Sequence, residues 1–285
     1  MKQTIVFTDL DGTLLDSFSY SFEKALPALE LLKKSNIPLV LCSSKTRVEI
    51  EHYRITLGNN HPFVSENGGG IFIPKGYFDL GASCFSFHIE TEDGYEVIRL
   101  GACYSDLRKA IEELRREGYA VWGFGDMTEH EIARLANMSI SEASMAKERD
   151  FDEPFLFEGT EGEVVRLTDA IQEKGFHITQ GRFFHLLGKS DKGKAVSILK
   201  GLYRKKYDEI LTVAIGDSPN DIPMLKEVHY PILVQKSDGH HDPRIDIPNL
   251  LKTEGVGPEG WNRAVLRLFQ ACSDCMCPTH HHHGK

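Results

Sequence analysis

Pairs of carboxylates stand at two places where a strongly apolar run of the sequence ends. Asp9 and Asp11 follow the β-branched and aromatic run at residues 4–8, and Asp217 and Asp221 follow the apolar run at residues 210–215. Side chains two apart in an extended segment point to the same side, so Asp9 and Asp11 present their carboxylates together. Neighbouring carboxylates can serve as nucleophile and proton donor, or as the hard oxygen ligands that Mg²⁺ prefers.

Each pair taken alone also has an ordinary explanation. Asp9 and Asp11 fit a turn with two solvated aspartates, and Asp217 and Asp221 fit a turn that caps the next helix. Two further polar residues favour a catalytic site over these ordinary explanations. Ser43 follows the apolar run at residues 38–42, and Lys192 begins a helical segment. A hydroxyl can donate to a phosphoryl oxygen and a lysine supplies positive charge, so the set together indicates phosphoryl chemistry.

The surrounding elements predict how these residues are positioned. Strand-like runs alternate with segments that have apolar residues at helical spacing, which indicates an α/β fold with a Rossmann-like parallel sheet core. Ligands of such sheets bind outside the carboxyl ends of the strands, where the four carboxylates fall. The predicted strands are residues 4–8, 38–42, 63–65, 210–215 and 230–234, and the predicted helices are residues 22–34, 48–57, 195–203 and 261–271.

The middle of the chain has a different pattern, which predicts an inserted α+β cap domain at residues 82–187. The core domain is then discontinuous, with residues 1–81 and 188–271 on either side of the insert, and residues 272–285 form a Cys- and His-rich tail that we expect to be flexible. Within the insert the pattern predicts a helix at residues 107–117 and strands at residues 85–90, 96–100, 164–167, 177–179 and 183–187.

Composition narrows the classes of partner. The formal net charge is -9 over 285 residues, which disfavours nucleic acid and anionic lipid. No apolar run approaches the roughly 20 residues that span a bilayer, and the first residues lack the pattern of a signal peptide, so we expect a cytoplasmic protein with no membrane partner. An anionic substrate would require a local basic pocket or a metal ion.

The tail concentrates metal-ligand residue types. Cys272, Cys275 and Cys277 precede four histidines at residues 280–283, and thiolates and imidazoles at such spacings can bind zinc or copper. A frayed terminus explains the same residues without a metal. The remaining cysteines are scattered, so the six do not form a disulfide framework.

The sequence resembles the haloacid dehalogenase superfamily of aspartate-nucleophile phosphatases at four motifs that occur in the family's order. They are Asp9, Asp11, Gly12 and Thr13; Ser43; Lys192 with Gly193; and Gly216, Asp217, Asn220 and Asp221. The resemblance implies that Asp9 is the nucleophile, that Asp11 is the acid and base, and that Ser43 and Lys192 hold phosphoryl oxygens. It also implies a Mg²⁺ cofactor held by Asp9, the backbone carbonyl of Asp11, Asp217 and Asp221. Lys189 competes with Lys192 for the third motif.

The insert resembles the cap of the Cof-type branch, and four stretches are similar to the mannosyl-3-phosphoglycerate phosphatase family, whose product is the compatible solute mannosylglycerate. These are residues 65–70, 123–128, 149–155 and 181–188; residues 135–138 depart from the family's pattern and leave the choice of hexose open. The resemblance implies a small anionic sugar-phosphate substrate. Arg182 is the candidate for its carboxylate and His185 for its sugar, and further substrate-binding candidates are Thr13, Ser44, Glu66, Asn67 and Gly68.

Other functions remain compatible with the same motifs. A phosphatase for glucosyl-3-phosphoglycerate or for general sugar phosphates would carry the same four motifs. So would a phosphotransferase that passes the aspartyl phosphate to an acceptor other than water. A sensor that binds phosphorylated ligands without hydrolysis is disfavoured because both Asp9 and Asp11 are present.

Overall fold

The computed structural model describes residues 2–80 and 88–274. Its amino-terminal part alternates strands and helices and then continues into antiparallel strands. The elements in chain order are β1 (Gln3–Thr8), α1 (Leu26–Lys34), β2 (Leu39–Cys42), α2 (Arg47–Leu57), β3 (Phe63–Ser65), β4 (Gly70–Pro74), β5 (Glu90–Glu92) and β6 (Tyr95–Arg99).

The middle of the chain forms a separate layer of helices and short strands. Its elements are α3 (Tyr104–Arg116), β7 (Val121–Gly123), α4 (Glu129–Ala136), α5 (Ile140–Lys147), β8 (Asp152–Phe157), α6 (Glu161–Glu173), β9 (His177–Gln180) and β10 (Phe184–Leu187).

The chain then returns to the first part. The last elements are α7 (Lys192–Tyr207), β11 (Ile210–Gly216), α8 (Ile222–Lys226), β12 (Tyr230–Gln235), β13 (Leu251–Val256) and α9 (Pro258–Asp274).

Within the described residues, nine strands form the core sheet in the order β13-β12-β11-β1-β2-β3-β4-β6-β5. The six strands from β13 to β3 are parallel, which confirms the predicted α/β class with a parallel sheet core. β1 is central and pairs with β11 in a register that places Thr8 opposite Ile215. The loops that carry Asp9 and Asp217 therefore begin side by side at the carboxyl edge of the sheet.

Both faces of the core sheet are covered, which explains why its strands are continuous apolar runs. Along β1, Ile5 and Phe7 pack on the face covered by α7, while Val6 packs on the face covered by α1 and α9. On this second face Trp261 is fully buried, and its Nε1 donates a hydrogen bond of 3.0 Å to Thr8 Oγ1. This contact anchors the end of β1 next to Asp9.

The cap has a four-stranded antiparallel sheet, in the order β7-β8-β10-β9 within the described residues. Its core lies between this sheet and the helices α3 and α6, where Leu107, Leu167, Phe155 and Leu186 are buried together. Because side chains alternate along a strand, His185 on β10 points to the opposite face, away from these helices. That face of the cap sheet looks toward the core domain.

Two predictions about the insert are wrong. β5 and β6 fall within the predicted cap at residues 82–187, but β6 pairs with β4 from Arg99 opposite Gly70 to Tyr95 opposite Pro74, so the hairpin extends the core sheet. We therefore place the boundary after β6. Residues 164–167, predicted as a strand, lie inside α6, which begins at a capping box formed by Thr160 and Glu163.

Some predictions fall on residues that the structure does not describe. Residues 85–87, half of the predicted strand at residues 85–90, lie there, and so does the tail from residue 275, so the proposed zinc or copper site remains a prediction. Among the described residues, the helices are too short or too polar to cross a bilayer.

Candidate active site

Asp9 and Asp11 lie at the carboxyl end of β1. The Asp9 N–H donates to the Ile215 carbonyl at 2.9 Å, which continues the pairing with β11, and its carboxylate is buried. The Asp11 side chain is 39% exposed. Gly12 makes the turn with a φ of +78°, and a Cβ there would lie 2.9 Å from Asp217 Oδ2. Glycine is therefore required where the first loop passes the second.

Lys192 places a buried positive charge between two carboxylates. Its Nζ donates to Asp9 Oδ1 at 2.6 Å and to Asp221 Oδ1 at 2.7 Å. Burial disfavours the charged ammonium, but Asp221 and Asp9 outweigh this effect and raise the pKa of Lys192, so the side chain stays charged. The competing Lys189 is exposed. The structure thus brings Lys192, and not Lys189, next to Asp9.

The loop after β11 is held by its own carboxylates. Asp221 Oδ2 accepts hydrogen bonds from the backbone N–H groups of Asp217 at 3.0 Å and Ser218 at 3.1 Å. Thr13 Oγ1 donates to Asp217 Oδ1 at 3.3 Å. Asp221 therefore fixes the loop and Lys192 together, and Thr13 joins the first acidic loop to the second.

These carboxylates fit a hard divalent cation. One ligand oxygen from each of Asp9, Asp217 and Asp221 lies within 4.8 Å of the others. Burial raises the pKa of Asp9 well above its ordinary value, and burial together with Asp221 raises that of Asp217 to about 7. Three buried carboxylates with one buried lysine leave negative charge uncompensated, and an all-oxygen donor set suits Mg²⁺.

Ser43 and Ser44 follow β2 but differ in exposure to the site. Ser43 is fully buried, and its Oγ accepts the N–H of Lys45 at 3.2 Å. Among the described residues that line the cleft between the two domains, Ser44 is present and Ser43 is not. The role of Ser43 in holding a phosphoryl oxygen stays a prediction.

The cleft above these loops has a volume of about 390 Å³, within the range of about 300–1,000 Å³ that is usual for small-molecule sites. Its walls come from both domains and include acidic, basic and aromatic side chains. Basic side chains in the wall are Lys45, Arg149, Arg182 and Lys236. The negatively charged protein therefore provides a local basic lining for an anionic substrate.

Arg182 lines the cleft with its guanidinium directed at the end of α4. It donates to the carbonyl oxygens of Ala136 at 2.6 Å and Leu135 at 3.0 Å. Cationic side chains at a helix C-terminus satisfy the last carbonyls of the helix. Arg182 as placed here holds α4, so binding a substrate carboxylate would require it to use its remaining N–H groups.

His185 lines the cleft and is oriented by a buried aspartate. Its Nδ1 lies 2.9 Å from Asp152 Oδ2, and Asp152 is fully buried. A carboxylate only accepts hydrogen bonds, so Nδ1 carries the proton and Nε2 is the nitrogen that remains for a ligand. The geometry agrees with the predicted contact between His185 and the sugar, which stays a prediction.

Glu66, Asn67 and Gly68 lie at the junction of the domains, outside the described cleft lining. Glu66 accepts the N–H groups of Asp150 and Phe151, at 2.8–3.1 Å. Asn67 Nδ2 donates to Asp152 Oδ2 at 2.9 Å, and its Oδ1 accepts from Asn220 Nδ2 at 3.1 Å. A Cβ on Gly68, whose φ is +97°, would lie 2.1 Å from the Asp191 carbonyl oxygen. These contacts join the core to the cap and to the segment that carries Lys192, and the predicted contact of the three residues with sugar hydroxyls stays a prediction.

Glu66→Ala is expected to lower the free energy of unfolding by about 2–4 kcal/mol, because two backbone N–H groups lose their acceptor in a buried site. Glu66→Gln should cost about 1 kcal/mol or less, because it keeps one acceptor oxygen. Urea denaturation of both variants at neutral pH measures the difference. Equal losses in the two variants would contradict the assignment of Glu66 as an acceptor for the cap segment.

A pH series adds a second test of Glu66. Burial raises the pKa of Glu66 to about 8, above its ordinary value of about 4.3. The folded state then holds the proton more tightly than the unfolded state, so this residue's contribution to stability is lost as pH rises between these two values. The Gln variant should lack this decline, and its stability relative to the parent should improve as pH rises toward 8.

Two charged residues of the site were not predicted as functional. Lys45 Nζ lies 3.1 Å from Asp11 Oδ2, and Arg149 NH1 donates to the Ser44 carbonyl at 2.7 Å. Lys45 directly follows Ser43 and Ser44, and Arg149 opens one of the stretches that resemble the family, so their positions were the available signals. Nothing in their local sequence indicated that Lys45 contacts Asp11 or that Arg149 contacts Ser44.

A family model described as haloacid dehalogenase-like hydrolase matches residues 6–88 and 134–240 of the chain. A solved structure from Thermoplasma acidophilum is similar with a TM-score of 0.65 at 20% identity, and the match covers 94% of this chain and 99% of that one. The structural similarity supports the fold, and the model match covers both acidic loops and Lys192.

Curated relatives are similar along almost the whole chain. The glucosyl-3-phosphoglycerate/mannosyl-3-phosphoglycerate phosphatase of Methanococcoides burtonii is 44% identical over 267 residues, which covers 93% of this chain and 97% of the relative. A protein of the same name from Persephonella marina is 43% identical over 276 residues, covering 96% of this chain and 100% of the relative.

Proposed function

Since the chain belongs to the haloacid dehalogenase-like hydrolase family and is a phosphatase, we propose that it hydrolyses mannosyl-3-phosphoglycerate to mannosylglycerate and phosphate. The observation that carries the proposal is the buried Lys192 between Asp9 and Asp221, beside Asp217 and below a cleft with a basic lining. Because both relatives are also named for the glucosyl compound, the proposal extends to glucosyl-3-phosphoglycerate as a second substrate.

The first chemical step uses Asp9 as the nucleophile. Lys192 occupies Asp9 Oδ1, which leaves Oδ2 to attack phosphorus in line. The new bond joins this oxygen to phosphorus, and the bond between phosphorus and the glycerate oxygen breaks. Asp11 gives its proton to the departing oxygen, so the product leaves as an alcohol. Phosphate monoesters are among the slowest substrates to hydrolyse without a catalyst, which is why a preorganised charged site is required.

The second step regenerates the enzyme. Asp11, now ionised, takes a proton from a water molecule that attacks phosphorus, and the bond to Asp9 breaks to release phosphate and the free carboxylate. Lys192 stays next to the reacting carboxylate throughout. A Mg²⁺ ion would supply positive charge that offsets the repulsion between the carboxylate and the phosphoryl group. The groups that would hold it are Asp9, Asp217, the Asp11 backbone carbonyl and the loop oriented by Asp221.

Phosphate release across a substrate panel tests the proposal. We expect Mg²⁺-dependent release with the highest kcat/KM on the two hexosyl-3-phosphoglycerates, well above 3-phosphoglycerate and simple hexose phosphates, and loss of release after chelation with EDTA. Readdition of Mg²⁺ is the control for the chelation. Equal kcat/KM on simple hexose phosphates would contradict the substrate assignment and leave the phosphatase chemistry, whereas full activity without a divalent cation would contradict the metal assignment.

A further inference from the structure

Lys45 lies between the residue assigned as acid and base and the cap. Its side chain is 6% exposed, and its Nζ is 3.1 Å from Asp11 Oδ2 and 3.3 Å from Glu49 Oε1. The ammonium also lies over two aromatic rings, 4.9 Å from the ring centre of Tyr20 and 5.7 Å from that of Tyr53. Two carboxylates and two rings therefore face this one cation.

The cap contacts the core on both sides of Lys45. Arg149 of the cap donates to the carbonyl of Ser44 at 2.7 Å, and Thr46 Oγ1 donates to the carbonyl of Met145 in α5 at 2.9 Å. The residues immediately before and after Lys45 are thus tied to the same region of the cap. Contacts with the cap therefore flank the backbone that carries Lys45 on both sides.

Tyr20 and Glu49, two neighbours of Lys45, also contact residues of the cap. Tyr20, whose ring lies below the ammonium, donates its hydroxyl to the carbonyl of Ala136 at the end of α4, at 3.1 Å. Glu49 lies 3.8 Å from Arg149 NH2. A lysine side chain has many rotamers, and these contacts reduce that freedom.

Asp11 depends on Lys45 for its orientation. Its Oδ2 pairs with Lys45, while its buried Oδ1 has no hydrogen-bond partner among the described residues. An acid that protonates a leaving group must be held in a fixed geometry, because the rate falls when the reacting groups are misplaced. The ion pair with Lys45 can hold the Asp11 carboxyl group in such a fixed geometry.

We propose that Lys45 is a positioning residue for Asp11, and that docking of the cap on residues 44–46 sets the position of Lys45 and through it the position of the acid. The inference rests on the proposed function, since it assumes that Asp11 protonates the leaving group. Lys45 acts through Asp11 and not through a direct contact with the reacting atoms.

The dependence of the rate on the leaving group tests the proposal. Phenyl phosphate and 4-nitrophenyl phosphate have similar shapes, but 4-nitrophenolate leaves without a proton and phenolate benefits from one. The quantity to measure is kcat/KM, which reports the step that breaks the bond to the leaving group. Lys45→Met should lower kcat/KM about 10- to 100-fold for phenyl phosphate and about 3-fold or less for 4-nitrophenyl phosphate, since general acid catalysis typically contributes 10²–10⁴-fold.

Two further variants keep the test specific. Lys45→Arg should restore most of the rate on phenyl phosphate because it keeps a cation near Asp11. Lys174→Met removes a cap lysine that pairs with Glu113 and Glu117 outside the described cleft lining, and it should leave the ratio of the two rates unchanged. Because both rates come from the same preparation, partial unfolding of a variant cancels in the ratio.

Asp11→Asn separates failure of the inference from failure of the proposed function. If Asp11→Asn lowers both rates equally, the assignment of the acid is wrong. If it lowers the phenyl phosphate rate selectively and Lys45→Met does not, the inference alone is overturned. In the double variant, Lys45→Met should cost little beyond Asp11→Asn. A full additional loss there would assign Lys45 a direct role with the substrate and would also overturn the inference.

Discussion

Asp9→Asn is expected to lower kcat/KM on mannosyl-3-phosphoglycerate on the order of 10⁴-fold or more, as when a catalytic nucleophile is removed from a hydrolase. The two side chains have almost the same shape, but an amide does not attack phosphorus. Lys192 keeps its contact with Asp221 in this variant, so the fold should persist. Phosphate release and thermal unfolding of the same preparation measure the two effects.

The matched control for this variant is Asp169→Asn, which makes the same chemical change at an exposed position of α6 in the cap. It should keep full activity. If Asp9→Asn retained more than a small fraction of the parent rate with an unchanged fold, a different group would have to be the nucleophile.

Lys192→Met is expected to have the second largest effect, on both stability and activity. It leaves Asp9 and Asp221 buried without the cation they share, and breaking a buried ion pair from one side costs about 3–5 kcal/mol. It also removes a charge from the site of phosphoryl transfer, where loss of one electrostatic donor lowers kcat about 10²–10³-fold. Urea denaturation and steady-state kinetics, both with Mg²⁺ present, measure the two losses.

Lys189→Met is the control, because it removes an exposed lysine three residues earlier. It should be as stable and as active as the parent. Replacing Asp221 by Asn together with Lys192→Met should recover part of the lost stability, since one of the unpaired charges is then gone. A stable and active Lys192→Met variant beside an inactive Lys189→Met variant would reverse the assignment of the phosphate-binding lysine.

The parts of the site that could be predicted from sequence are those fixed by local signals. Each acidic loop directly follows a short apolar strand, and parallel strands bring such loops to one edge of the sheet. The pairing of Thr8 with Ile215 places the loops that carry Asp9 and Asp217 side by side. Lys192 was predicted from its match to the third family motif, although its burial between Asp9 and Asp221 was not.

The parts that could not be predicted depend on contacts between distant segments. The hairpin of β5 and β6 has no local feature that distinguishes a cap strand from a core strand. Its pairing with β4 assigns it to the core sheet. In α6, Val164 and Val165 suggested a strand, but the capping box at Thr160 and the burial of Leu167 and Ile171 against the cap sheet favour a helix.

Glu66 and Asn67 contact cap residues that are distant in the chain, and no sequence pattern describes such contacts. Glu66 accepts hydrogen bonds from the N–H groups of Asp150 and Phe151, which lie 84 and 85 positions later in the chain. On either side of Lys45, Ser44 contacts Arg149 and Thr46 contacts Met145. Residue type and spacing indicated a polar cleft, and the assignment of roles within it required the tertiary structure.

Rapid-quench analysis of Asp11→Asn with 4-nitrophenyl phosphate tests most directly the claim that Asp9 carries the phosphoryl group. This substrate needs no acid for the first step, and the variant lacks the base for the second, so the intermediate should accumulate. We predict a burst that approaches one 4-nitrophenolate per enzyme and a hydroxylamine-sensitive phosphoryl group on the peptide that contains Asp9. A phosphoryl group on another residue, or steady turnover without a burst or any phosphorylated Asp9, would contradict the account.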